Sequence, residues 1–107
     1  MENFQAKFDS FLAGCQAKVE AHYKTNFSSL SIPTLVAQPG RRFVKILKIE
    51  GTTSKSVWAF VEIETGDIYK PATFAAPAKH PRGNINDASN GLDCVSAYGP
   101  AYLRRFS

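Results

Sequence analysis

The sequence predicts a mainly β domain with one N-terminal helix, its short strands curled into a small, strongly bent five-stranded antiparallel barrel. Three observations carry this. Residues 4–25 repeat apolar side chains at spacings of three and four, the period of one helix face. Residues 41–50 and 56–64 alternate in twos, the period of a strand. Turn-like breaks at Gly51–Ser54 and Thr65-Gly66-Asp67 separate the strands. The alternative architecture is an open α+β sheet with one helix on its face.

The helix comes first. Phe4, Phe8, Phe11, Leu12, Cys15, Val19 and Tyr23 form its apolar stripe, and Asn3 can cap its start. Gly14 weakens it by about 1 kcal/mol relative to Ala. Asn26, Ser28 and Ser29 end it. Residues 27–40 read as a connector with a short extended piece at Thr34–Ala37.

In the strand 41–50, Phe43, Lys45, Leu47 and Ile49 share one face, and Arg42, Val44, Ile46 and Lys48 share the other. In 56–64, Val57, Ala59, Val61 and Ile63 line the core face. Trp58, Phe60, Glu62 and Glu64 line a face that emerges into solvent. Gly66 supplies the positive φ of a tight turn. A third strand, 68–74, lies at an edge or carries a bulge, because Pro71 has no N–H for a ladder. Residues 75–92 form a long Pro- and Gly-containing loop. Residues 93–98 form a last strand broken by Gly99-Pro100, and AYLRRF adds a final turn of helix or strand.

The chain of 107 residues fits a single domain: 1–26 the helix, 41–98 the barrel, 75–92 the loop within it. No apolar run approaches the roughly 18 residues of a membrane span. Lys7 and Asp9 interrupt the first residues, so these do not read as a secretory signal. The two cysteines, Cys15 and Cys94, make no disulfide framework and read as buried thiols in a cytosolic setting.

Catalytic and metal chemistry find little footing. His22 and His80 pair with no nucleophile in a local pattern, and a small hydrolase using His80 is the weakest functional reading. No His/Cys spacing resembles a zinc site. Glu62, Glu64 and Asp67 around one turn read as a solvated rim rather than a cation site. No phosphate-binding glycine loop is present and no cofactor is implied.

Charge is more informative. The formal +4 is concentrated in two patches. One holds Arg41, Arg42, Lys45, Lys48 and Lys55 against Glu50. The other is the acid-free stretch KPATFAAPAKHPRGNI, with Lys70, Lys79, His80 and Arg82. Phosphate contact needs surface cations and base stacking needs exposed planar groups. Arg42 and Lys48 can line one strand face, Lys70, Lys79 and Arg82 can converge from the loop, and Tyr69, Phe74 or Trp58 can stack. The competing reading makes the aromatics core and the cations a solubilising rim.

The segments Thr65–Ala72 and Ala78–Ile85 resemble short marine-phage proteins, cyanophage-like and abundant in ocean environmental sequence. The order of helix then strands resembles the Sm-like (LSm) small barrel, which is also SH3-like. That resemblance implies a non-enzymatic homo-oligomer that forms a ring by edge-strand pairing and binds RNA or single-stranded DNA. It implies residence in the host cytoplasm, or in the virion if the protein is structural. In Sm-like proteins one turn presents an Asp and an Asn, for which Asp67 stands here. A later loop carries Arg-Gly followed by Asp or Asn, which Arg82-Gly83-Asn84 matches. The nucleic-acid-binding residues so expected are Arg42, Lys48, Asp67, Lys70, Lys79, His80, Arg82 and Asn84. The alternative function is a phage structural or protein-interaction module, with the loop as an interface and no membrane role.

Overall fold

The computed structural model describes residues 4–27, 29–52 and 54–100. Helix α1 spans Phe4–Asn26. Its apolar spacing sets Phe8, Phe11, Cys15 and Val19 in one buried row, with Phe4, Leu12 and Tyr23 packed beside it. The expected cap, Asn3, lies outside the described residues. At the other end Phe27 N donates to Tyr23 O at 2.8 Å, and Asn26 Nδ2 donates to His22 O at 3.0 Å.

Five strands follow: β1 (Thr34–Pro39), β2 (Phe43–Glu50), β3 (Ser54–Glu62), β4 (Asp67–Tyr69) and β5 (Gly83–Asn84). They pair antiparallel in sequence order, β1-β2-β3-β4-β5. β1 and β5 are therefore the two edges, and the sheet is not closed. The fold is mainly β with one N-terminal helix on an antiparallel sheet. A separate hairpin, β6 (Val95–Ser96) with β7 (Gly99–Pro100), follows a 3₁₀ turn at Leu92–Cys94.

β3 does not alternate as its sequence suggests. Ile46 pairs with Ala59, but the next residue, Leu47, pairs with Val57. Trp58 is the extra residue of a bulge. The bulge places both Trp58 and Ala59 in the helix-side core, beside Val44, Ile46 and Val61. Trp58 Nε1 donates to Ala97 O at 3.4 Å, tying the late hairpin to the sheet. Trp58 is thus a core residue and not a stacking surface. Nor does the far face of β3 emerge into solvent, since Phe60 and Glu62 are both buried.

Other boundaries differ from the sequence reading for local reasons. The stretch 27–40 is no mere connector, because β1 adds a full outer strand. The third strand stops at Tyr69. Beyond it, Pro71 bridges Pro77, and Ala78 N donates to Lys70 O at 2.7 Å, closing residues 70–78 into a flap. Within the flap, Thr73 Oγ1 accepts from Ala75 N and Ala76 N. The stretch 75–92 contains β5, and 93–98 splits between the 3₁₀ turn and the hairpin, which Gly99 helps form at φ 110°. The AYLRRF segment beyond Pro100 lies outside the described residues.

Gly14 has a packing reason. A Cβ there would sit 2.6 Å from Leu92 Cδ1, so the missing side chain leaves the notch that Leu92 fills. Gly66 has the expected positive φ, 81°.

Candidate nucleic-acid interface

The sheet face away from α1 carries the most suggestive chemistry. β2 turns Phe43 and Lys45 to this face, β3 contributes Phe60 and Glu62, and β4 contributes Tyr69. Phe43 meets Phe60 and Tyr69 edge to face, with ring centroids at 5.8 and 5.7 Å. The flap crosses the same face and brings Phe74 over Lys45. Lys45 Nζ lies 4.2 Å from the Phe74 ring centroid and 5.8 Å from that of Phe60. One face of Phe74 is thus occupied by a cation, while the side chain stays half exposed.

An open groove lies on each side of the flap. One, of about 280 Å³, is rimmed by Arg41 and Arg42, with Phe43, Lys45 and Phe60 along it and Ala75 at the flap edge. The other, of about 330 Å³, runs between Lys55, Val57, Pro71 and Phe74. Arg41 and Arg42 reach this position because Gly40 N donates to Phe43 O at 2.9 Å, turning the chain tightly before β2.

Arg42 is half committed. Its Nε donates to Glu62 Oε2 at 3.0 Å, and its guanidinium lies 5.1 Å from the Phe43 ring centroid. Thr65 Oγ1 and Tyr69 Oη also donate to Glu62, at 3.2 and 3.4 Å. The Arg42 hydrogen bond, ahead of the others, holds the Glu62 carboxyl below its usual range against the opposing effect of burial. Burial first, then Glu62 and Asp67, push the Tyr69 phenol up. The buried acid therefore stays charged and is matched inside the face rather than offered to a ligand. Among the described residues no cluster of acids or histidines is placed to hold a metal ion.

The residues singled out in the sequence scatter. Arg42 belongs to the groove. Lys48 sits near the other end of β2, 3.7 Å from Glu50, whose carboxylate also accepts from Tyr23 Oη at 3.5 Å. Arg42 and Lys48 therefore do not line one surface. Asp67 and Asn84 are brought side by side by the β4–β5 pairing. Asn84 Nδ2 donates to Asp67 Oδ1 and to Thr65 O, each at 2.9 Å, and its Oδ1 accepts from Asn86 N at 2.7 Å. Both side chains thus lock the turn.

Lys70 Nζ donates to Pro100 O at 2.8 Å; burial, then Arg82, lower its pKa. Arg82 is half buried, its backbone N donating to Ile68 O at 2.6 Å and its Nη1 to His80 O. Lys79 and His80 are exposed. No acid or nucleophile among the described residues bonds the His80 ring. His22 packs instead against Tyr98, whose Oη lies 3.1 Å from its Nε2.

Sequence reasoning missed Arg41, Lys45 and Lys55 as site residues. The signal for Lys45 was present, since it shares strand parity with Phe43. What the parity did not show is the flap that folds Phe74 back onto it.

A family model described as a family of unknown function, DUF7717, matches residues 5–102. No curated protein and no solved structure matches the chain.

Proposed function

We propose, from the premise that the chain belongs to the DUF7717 family, that it is a non-enzymatic protein that binds RNA or single-stranded DNA across the outer sheet face. One observation carries the reading: Lys45 lies under a half-exposed Phe74 between two open grooves whose rims hold Arg41, Arg42 and Lys55. Cations neutralise phosphates, and the uncovered side of the Phe74 ring accepts an unpaired base. A duplex hides its base faces, so the single strand is the matching ligand.

An Sm-like barrel is the closed form of such a sheet. The Trp58 bulge, which bends β3, supports that reading, and so does the placement of Asp67 beside Arg82-Gly83-Asn84. Pairing of β5 with β1 is what closure still requires.

The test is fluorescence polarisation with labelled oligo-U and a duplex of equal length, over a salt series. The triple substitution Arg41→Ala, Lys45→Ala, Lys55→Ala should weaken single-strand binding and lower the salt slope by about one per lost phosphate contact. Phe74→Ala should weaken oligo-U binding with little change in slope. No association at low salt removes the reading.

A second reading, a phage structural or protein-interaction module, is favoured by the exposed apolar group at the end of α1. Phe27, Leu30 and Tyr98 stand there in solvent. It predicts that the triple variant leaves a partner complex intact.

A further inference from the structure

An outer strand presents unpaired N–H and C=O groups, and folded chains must blunt that edge or use it. β1 is such a strand, and a side chain from α1 occupies its edge. Leu35 N donates to Gln16 Oε1 at 2.7 Å, and Gln16 Nε2 donates to Pro33 O at 3.1 Å. One amide group thereby satisfies a donor and an acceptor two residues apart, as a neighbouring strand would.

The Leu35 bond also fixes the direction of the rest. Backbone polar groups alternate sides along a strand, so Pro33, Leu35, Ala37 and Pro39 turn theirs away from β2. Pro33 and Pro39 have no N–H. The outward donors of this strip are therefore Leu35 and Ala37, and Gln16 holds the first.

That pattern is self-complementary. Two antiparallel copies of β1 related by a two-fold axis at Val36 set Leu35 of each opposite Ala37 of the other. Both such pairs exchange N–H···O bonds in each direction, and the prolines end the ladder on either side. Val36, which is exposed, would face its own copy across the axis. No other register pairs all the outward donors with outward acceptors on non-proline residues. We infer that the β1 edge is a self-association surface for a second copy of this chain, and that Gln16 is the latch that holds it shut.

The experiment compares the full chain with Gln16→Met, which keeps the side-chain stem and helix preference but removes the amide's bonds to Leu35 N and Pro33 O, along with the one Gln16 Nε2 donates to Glu20 Oε2 at 3.2 Å. In the wild type, amide hydrogen exchange should find Leu35 N–H protected roughly tenfold or more relative to Ala37 N–H. Light scattering should find a monomer. Gln16→Met should lose the Leu35 protection at low concentration and show a mass rising toward the dimer with concentration. Adding Val36→Lys should return it to monomer.

A folded Gln16→Met variant that stays monomeric at every concentration overturns the inference. So does a wild-type dimer that Val36→Lys dissociates, since the edge would then be open. Should Gln16→Met fail to fold, the wild-type exchange decides alone: Leu35 exchanging as fast as Ala37 means that no latch exists.

Discussion

Arg42 Nε donates to Glu62 Oε2 at 3.0 Å from the surface inward: the Arg42 side chain is 71% exposed and that of Glu62 only 9%. A solvated cation thus stabilises a sheltered anion, with Thr65 and Tyr69 completing its hydrogen bonds. The arrangement keeps a negative charge at the margin of a face otherwise rich in cations and rings.

Acid sensitivity follows from this pair. The folded pKa of Glu62 lies below that of a free carboxyl, about 4.3. Its contribution is therefore present above the unfolded pKa and is lost as pH falls through the lower folded value. Glu62→Gln should lower the melting temperature at neutral pH and flatten its fall below about pH 4. Melting curves from pH 2 to 7, roughly the carboxylate range, measure this. An acid limb that superimposes on the wild type would show that Glu62 carries no such linkage.

Asn84 separates two sites. Its amide is spent on Thr65 O and Asp67 Oδ1, so Asn84→Ala should cost about 1–3 kcal/mol in denaturant unfolding. Oligo-U affinity of the folded variant should stay unchanged if the outer face binds. A selective loss of affinity would move the site to the Asp67–Asn84 turn.

Gly91 should tolerate no side chain. Its φ is 81°, and a Cβ would collide with Ile68 Cδ1 and lie 3.3 Å from Phe11 Cδ1. Gly51, at φ 65°, has nothing within 4 Å of the same atom. Both Ala variants carry left-handed strain of about 1–3 kcal/mol, but Gly91→Ala adds a core clash. Its melting temperature should drop further than that of Gly51→Ala, by about 4–8 °C per additional kcal/mol.

The thiols should be inert when folded. Burial pushes the Cys15 thiol far up, and burial followed by the Asp87 charge pushes Cys94 to about 11. Only the thiolate alkylates readily. Iodoacetamide labelling read by mass spectrometry should find both nearly unmodified at neutral pH, with Cys94 labelling first as pH rises. Fast labelling of Cys15 in the folded chain would contradict its burial.

The helix was legible because it buries one face, which stamps a period on the residues; β2 and β3 were legible as strands from their alternation, although β3 buries both faces over its second half. β1 was obscured by Pro33 and Pro39, and its own pattern is weak since Leu35 alone is buried along it. The Trp58 bulge breaks the period of two that the residues of β3 imply. The stretch 75–92 is held by side-chain bonds to backbone, such as Asp87 to Gly91 N at 2.8 Å and Asn90 Nδ2 to Ile85 O at 2.7 Å. Bonds of that kind leave no repeating signature. At the interface Arg42 alone was legible as a site residue, and Phe74 reads as a strand residue until the flap returns it to Lys45.

Leu92 seated in the notch at Gly14 has a consequence for synthesis. The helix is made before the sheet, yet the cover for its middle turn follows the whole sheet, with Leu92 and Val95. While the ribosome is still working, α1 therefore keeps an uncovered apolar seam. A nascent chain paused before residue 92 should remain accessible to chaperones and proteases until that closing piece emerges.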